Sequence, residues 1–271
     1  MREITRAMIK EALQAVGVEA GDGLLVHSAL QYLGRPTGER SSEQSGIEIY
    51  LEALLEVLGS EGTLVVPTFN FGFARGEPYD PWNTPAQGMG VFSEFIRQQP
   101  GARRTPHPMQ SLAVIGHYAD DLAGAEVPFR RDTPSAFDPG SAFERMLELD
   151  FKILLLGADV EAISMLHYNE QRHEVPYRYW KEFHGQVLTE QGWEDRTYRM
   201  YVRDLDLDAH LTLKPIQEYM QARQEWHSVP LNYGWVSLCR MVDFNAAVDH
   251  FLAQDPWSLV KNRPPTLPPI Y

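Results

Sequence analysis

The run Ile153-Leu154-Leu155-Leu156, closed by Gly157, most constrains what this chain can become. A strand half in water alternates apolar and polar residues. This run does not alternate, which fits a strand covered on both faces, the condition inside a parallel sheet clad by helices. Gly23-Leu24-Leu25-Val26-His27-Ser28 and Gly62-Thr63-Leu64-Val65-Val66-Pro67 are of the same kind, and Leu112-Ala113-Val114-Ile115-Gly116 is a further strand. Amphipathic helices precede the first two: Met8, Ile9, Leu13 and Val16 after a capping Thr5, then Ile47, Leu51, Leu54, Leu55 and Leu58. This helix–turn–strand rhythm predicts a parallel sheet. Helices are also expected over 90–98, from a Ser141 cap to Leu149, over 163–172, 213–226 and 244–252. Strands with turns are expected over 183–202. The stretch 33–46 reads as an exposed loop, Asp132 to Phe137 as another, and Pro256 to Tyr271 as an extended tail. One domain over 1–271 is expected, with 183–235 as a smaller sub-structure.

Charge and cysteine content narrow the function. Lys plus Arg is 24 against 37 for Asp plus Glu, a net charge of −13. Such a surface repels nucleic acid and anionic membrane and favours a cationic small molecule. The single cysteine, Cys239, rules out an intrachain disulfide and reads as a small buried residue. No apolar stretch approaches the roughly 20 residues needed to span a bilayer, and the first residues lack a signal-peptide core, so a cytoplasmic location is expected. P-loop, G-x-G-x-x-G, G-x-S-x-G, H-E-x-x-H and cysteine-rich patterns are missing, so no metal is expected.

Three polar clusters fall at strand ends, where open α/β sheets hold their ligands: His27-Ser28, Arg103 to Ser111, and Ser164 to Glu170. His167 and Glu170 are three apart and share a helix face. A neutral imidazole held by a carboxylate is a general base near neutral pH, though the same spacing also describes an ordinary surface pair. Arg103-Arg104 suits a phosphate, or is a basic surface pair. His107 lies between two prolines and could position a ligand or the backbone. The segment 68–89 is long, aromatic and rich in Pro and Gly, as functional loops often are.

Taken in order, "LLVHSAL" (24–30), "GTLVVPTF" (62–69), "EPYDPWNTPA" (77–86), "MGVFSEFIR" (89–97), "RRTPHPMQS" (103–111), "DTPSAFDPGSAFERM" (132–146) and "ILLLGADVEAISMLHYNE" (153–170) resemble the aminoglycoside 3-N-acetyltransferase, or antibiotic N-acetyltransferase, family. The resemblance implies an α/β three-layer sandwich with a mostly parallel central sheet, unlike the GNAT acetyltransferases. It implies acetyl-coenzyme A as donor and direct transfer to an amine. It places the catalytic set at His167, Glu170 and Ser164, with His167 the general base and Ser164 where a threonine is commoner. It places coenzyme A at His27, Ser28, Ala29, Arg103, Arg104, His107 and Ser111. The acceptor region departs from the family pattern: Ala74-Arg75-Gly76 stands where an acidic residue is expected. Glu77, Asp80, Asp204 and Asp206 are then the candidate carboxylates for a cationic amine. A monomer or homodimer is expected. An acyltransferase for another amine, a thioester or amide hydrolase, and an idle binding protein stay open as other functions.

Overall fold

The computed structural model describes residues 4–34, 43–123 and 133–263. The strands are β1 (Gly23–Ser28), β2 (Thr63–Pro67), β3 (Arg103–Arg104), β4 (Leu112–Gly116), β5 (Lys152–Leu156), β6 (Arg178–Thr189), β7 (Gly192–Arg203), β8 (His227–Leu231) and β9 (Gly234–Arg240). The helices are α1 (Arg6–Val16), α2 (Glu43–Leu58), α3 (Gly90–Arg97), α4 (Ala119–Ala123), α5 (Ala142–Glu148), α6 (Leu166–Arg172), α7 (Lys214–Ala222) and α8 (Met241–Gln254). Seven strands form one sheet in the order β3-β4-β2-β1-β5-β9-β8. β1 lies between β2 and β5 and runs parallel to both. β4 and β9 run antiparallel to their neighbours, so β3 and β8 again point with the central three. Five of these seven described strands therefore share one direction, and the sheet is mostly parallel.

Alternate side chains of the central strands enter different cores, which is why their sequences do not alternate. Leu24, Val26, Leu64, Val66, Leu154 and Leu156 pack with Ile9 and Leu13 of α1, Leu51 and Leu54 of α2 and Phe92 and Ile96 of α3. Leu25, Val65, Ile153 and Leu155 face the other way, against Met146 of α5, Leu166 of α6, Ile216 and Met220 of α7, and Phe244 and Val248 of α8. Helices thus cover both faces, giving three layers. Cys239 is buried in the second core. The expected caps are present: Thr5 accepts from the Met8 N–H, and Ser141 from the Glu144 N–H.

Residues 178–203 form a hairpin paired only with itself among the described strands. It packs through Val187, Tyr198 and Met200 on Phe73, Tyr79 and Met109. The segment expected as a sub-structure over 183–235 is divided: the hairpin stands apart, while β8 and β9 join the main sheet. Pro230 obscures β8 in the sequence; the fold tolerates it because β8 is an edge strand, where a missing N–H faces no partner. The helix expected over 163–172 begins only at Leu166, after a 3-10 turn at Val160–Ala162. The helix expected over 213–226 stops at Ala222. Most of the 33–46 loop, Asp132 and the tail beyond Arg263 lie outside the described residues. No described helix is long and apolar enough to cross a membrane.

Candidate active site

The carboxyl ends of β2, β1 and β5 lie side by side, so the outer two are roughly 10 Å apart with Ser28 between them. This edge is where a doubly covered sheet receives ligands. Gly157 ends β5 at φ 69°, and a Cβ there would come within 2.7 Å of the Ala29 carbonyl oxygen. The glycine therefore lets the turn after β5 close onto the turn after β1. His27 Nε2 accepts the Ser164 N–H at 3.4 Å, tying those two turns together again. Burial pushes His27 down to about 3, so it stays neutral.

From that tie the chain enters α6. His167 Nδ1 lies 2.6 Å from Glu170 Oε2, and the same oxygen is 2.9 Å from an Arg178 guanidinium nitrogen. Glu170 is wholly buried, while a third of the His167 side chain is exposed. Burial pushes the Glu170 carboxyl up, but the His167 hydrogen bond and the Arg178 charge outweigh it and hold it below the usual carboxylate range. An ionised carboxylate only accepts, so the imidazole proton sits on Nδ1 and Nε2 carries the lone pair. Among the described residues Nε2 has no hydrogen-bond partner. The Phe137 ring stands edge-on, 6.2 Å from the imidazole centroid.

The rest of α6 is pinned by its polar side chains. Asn169 donates to Asn245 and Asp249 of α8, at 2.8 and 2.9 Å. Gln171 accepts from Ser135 at 2.6 Å and donates to Asp138, which pairs with Arg199 of β7 at 2.8 Å. His173, just past the helix, meets Asp249 at 2.8 Å.

The residues expected to hold coenzyme A divide into two groups. Ser28 and Ala29 are half-buried at the β1 end, and Arg103 is exposed and paired with Asp120 at 3.1 Å. Arg104 and Arg103 leave the strand in different directions but line the same pocket. Arg104 is half-buried and hydrogen-bonded within the protein. It donates to Ser111 Oγ at 3.0 Å, to the Thr68 carbonyl at 2.8 Å and to the carbonyls of Pro81 and Thr84. It also lies over the Tyr79 ring at 5.2 Å. These bonds fasten the 68–89 segment, and Arg104 still lines one pocket together with Arg103, Pro81, Trp82 and Arg97. Ser111 is fully buried, its hydroxyl shared among Arg104, Thr68 Oγ1 and the Thr68 carbonyl. His107 is buried too; Nδ1 accepts the Gln110 N–H at 3.1 Å, leaving Nε2–H to donate to the Arg199 carbonyl at 3.4 Å. Burial pushes it down to about 4. It positions backbone.

The acidic candidates are also separated. Tyr79, next to Asp80, bridges Val187 of β6, nine residues from Arg178, roughly 30 Å along an extended strand. Asp80 caps its own turn, accepting from the N–H groups of Trp82 and Asn83 and from the Asn83 amide. Glu77 pairs with Arg75 at 3.1 Å on the surface. Asp204 lies at the His167 end, its N–H bonded to the Tyr177 carbonyl, and its carboxylate accepts the Asp206 N–H. The Ser164 hydroxyl is buried and has no partner among the described residues, and its N–H is spent on His27. Among the described residues no cluster of His, Cys, Asp or Glu could hold a metal ion.

Arg178 is the residue that sequence reasoning missed. It is the first residue of β6, eight past Glu170, and the turn over 173–177 carries no period that would mark the meeting.

Comparison with known proteins agrees with this architecture. The aminoglycoside 3-N-acetyltransferase family model matches residues 25–253. Aminoglycoside N(3)-acetyltransferase III of Salmonella sp is 29% identical over 211 residues, covering 69% of this chain and 68% of that protein. A mutant of aminoglycoside acetyltransferase AAC(3)-IVa in complex with apramycin superposes with a TM-score of 0.74 at 25% identity, over 95% of this chain and 96% of that one. AAC-IIIb in its binary complex with CoASH shares the fold, with a TM-score of 0.78 at 22% identity over 97% and 100% of the two chains. With the family model spanning the sheet, the His167–Glu170 pair and most of α8, this chain belongs to the aminoglycoside 3-N-acetyltransferase family.

Proposed function

We propose that this protein transfers an acetyl group from acetyl-coenzyme A directly to an amino group of an aminoglycoside or a related cationic amine, with His167 as general base. The observation that carries the reading is the His167–Glu170 pair, in which a buried carboxylate 2.6 Å from Nδ1 leaves Nε2 as the free basic atom of a part-exposed ring. Family membership supports the reaction class, and relatives are seen with CoASH and with apramycin.

An alkylammonium is not nucleophilic until it loses a proton. In this reading that first proton leaves to solvent, and His167 Nε2 takes a second one from the neutral amine as its nitrogen attacks the thioester carbonyl carbon. The C–N bond forms, the C–S bond breaks, and the imidazolium returns its proton to the departing thiolate. Glu170 stabilises the imidazolium without itself being protonated. Ser28, Ala29, Arg103 and Arg104 are the reachable residues for the coenzyme, whereas His27, His107 and Ser111 are buried. Asp204 and Asp206 lie at the base's end of the hairpin and suit a cationic acceptor there, whereas Glu77 and Asp80 would meet only a distant part of it.

His167→Ala tests this. It should bind acetyl-coenzyme A as the wild type does and lose about 10²–10⁴-fold in turnover. Wild-type turnover by that variant overturns the role of His167. Thiol release that needs no amine would make the protein a thioester hydrolase instead. A panel of amines separates an aminoglycoside acceptor from another one.

A further inference from the structure

We propose that Arg178 is a positioning residue of this active site: it keeps the Glu170 carboxylate aimed at Nδ1 of His167 and thereby fixes which imidazole nitrogen is the base. The inference rests on the reading of His167 given above.

The geometry is specific. One carboxylate oxygen, Glu170 Oε2, serves both the imidazole Nδ1 at 2.6 Å and an Arg178 Nη2 at 2.9 Å. That same Nη2 is 3.3 Å from Nδ1; both are donors here, so the shared Oε2 is the atom that joins the three groups. The other terminal nitrogen, Nη1, donates to the Tyr201 carbonyl of β7 at 3.2 Å, which holds the guanidinium against rotation. Arg178 is itself largely buried, with 11% of its side chain exposed. The remaining groups near Glu170 are the phenols of Tyr177 and Tyr201, and the Tyr201 hydroxyl is committed to the Val175 carbonyl at 2.9 Å. No other cation is placed beside this carboxylate among the described residues.

The chemical consequence follows from what a carboxyl group can do in each state. Ionised, it only accepts, and it selects the Nδ1–H tautomer, which leaves Nε2 basic. Protonated, it can donate to Nδ1, which puts the imidazole proton on Nε2 and removes the base. Burial favours the protonated form, and the charge of Arg178 opposes it. Without the guanidinium, the pair keeps its place in the fold but shifts toward the unproductive arrangement.

The test uses Arg178→Met, which keeps bulk and removes charge, and Arg178→Lys, which keeps charge but cannot reach both Glu170 and Tyr201. The imidazole nitrogen shifts of His167, read by NMR at neutral pH, should report Nδ1–H in the wild type. Arg178→Met should show a mixture or the Nε2–H form. Its kcat should fall about 10- to 100-fold, the acid limb of kcat should move up by at least about one pH unit, and KM for acetyl-coenzyme A should hold within about twofold. Arg178→Lys should fall between the two. An unchanged tautomer, with kcat and its pH profile unmoved in Arg178→Met, overturns the inference. If Arg178→Met fails to fold, Arg178→Lys decides by the same two readouts. If the wild type shows no amine-dependent thiol release, the catalytic reading falls while the NMR arm still decides what Arg178 does.

Discussion

Replacing Arg104 with lysine separates two accounts of one residue. As a phosphate ligand, Arg104 would keep its role in part, because an ammonium is also a point cation for phosphate. As a fastener of the 68–89 segment it would lose most of it. The guanidinium spans Ser111 Oγ and the carbonyls of Thr68, Pro81 and Thr84, and the compact ammonium cannot reach them all. Hydrogen bonds to charged groups contribute about 1.5–3 kcal/mol each. Losing two of the four, with some overlap between them, amounts to about 3–4 kcal/mol. At about 2–3 °C per kcal/mol for a chain of this size, the melting temperature should drop by roughly 6–12 °C. Thermal denaturation followed by circular dichroism measures this, and calorimetric titration with coenzyme A measures affinity in the same variant. A variant as stable as the wild type but weakened toward coenzyme A would refute the fastening account and restore the phosphate role.

Two more perturbations test other parts of the structure. His27 and His107 stay neutral in the fold down to about 3 and about 4, whereas in the unfolded chain each takes a proton near the ordinary value of 6.5. The unfolded state therefore binds more protons below 6.5, and stability should fall with pH from there to about 4, by about 1.4 kcal/mol per pH unit for each histidine. Urea midpoints at several pH values should show this slope, flatter in His107→Gln; equal slopes would contradict it. Gly157→Ala places a methyl group against the Ala29 carbonyl oxygen at a φ of 69° and should cost about 2–4 kcal/mol. A melting temperature within a degree of the wild type would mean that the two turns do not press on one another.

The layered sheet was legible because burial on both faces leaves a simple trace, the unbroken apolar runs of β1, β2 and β5. His167 and Glu170 were legible because helical spacing is local. What escaped was non-local. The 3-10 turn before α6 delays the helix without changing its composition. β8 carries a proline that reads as a break and is harmless at an edge. Arg178 is only eight residues past Glu170, but it returns to it through the turn over 173–177, which has neither helical nor strand period. Arg104 and His107 stood out as polar residues in a loop, but their partners are backbone carbonyls and N–H groups, which look alike in any sequence.

Helix α6 has only seven residues, far fewer than a peptide needs to hold helical shape by itself in water. Its form is borrowed from its surroundings, through Tyr168 to α5, Asn169 to α8, Gln171 to the loop before α5 and Glu170 to β6. The position of His167 is therefore set by α5 with the loop before it, by α8 and by β6. Under the proposed mechanism, drift in any of them would first blunt turnover and only later melt the molecule.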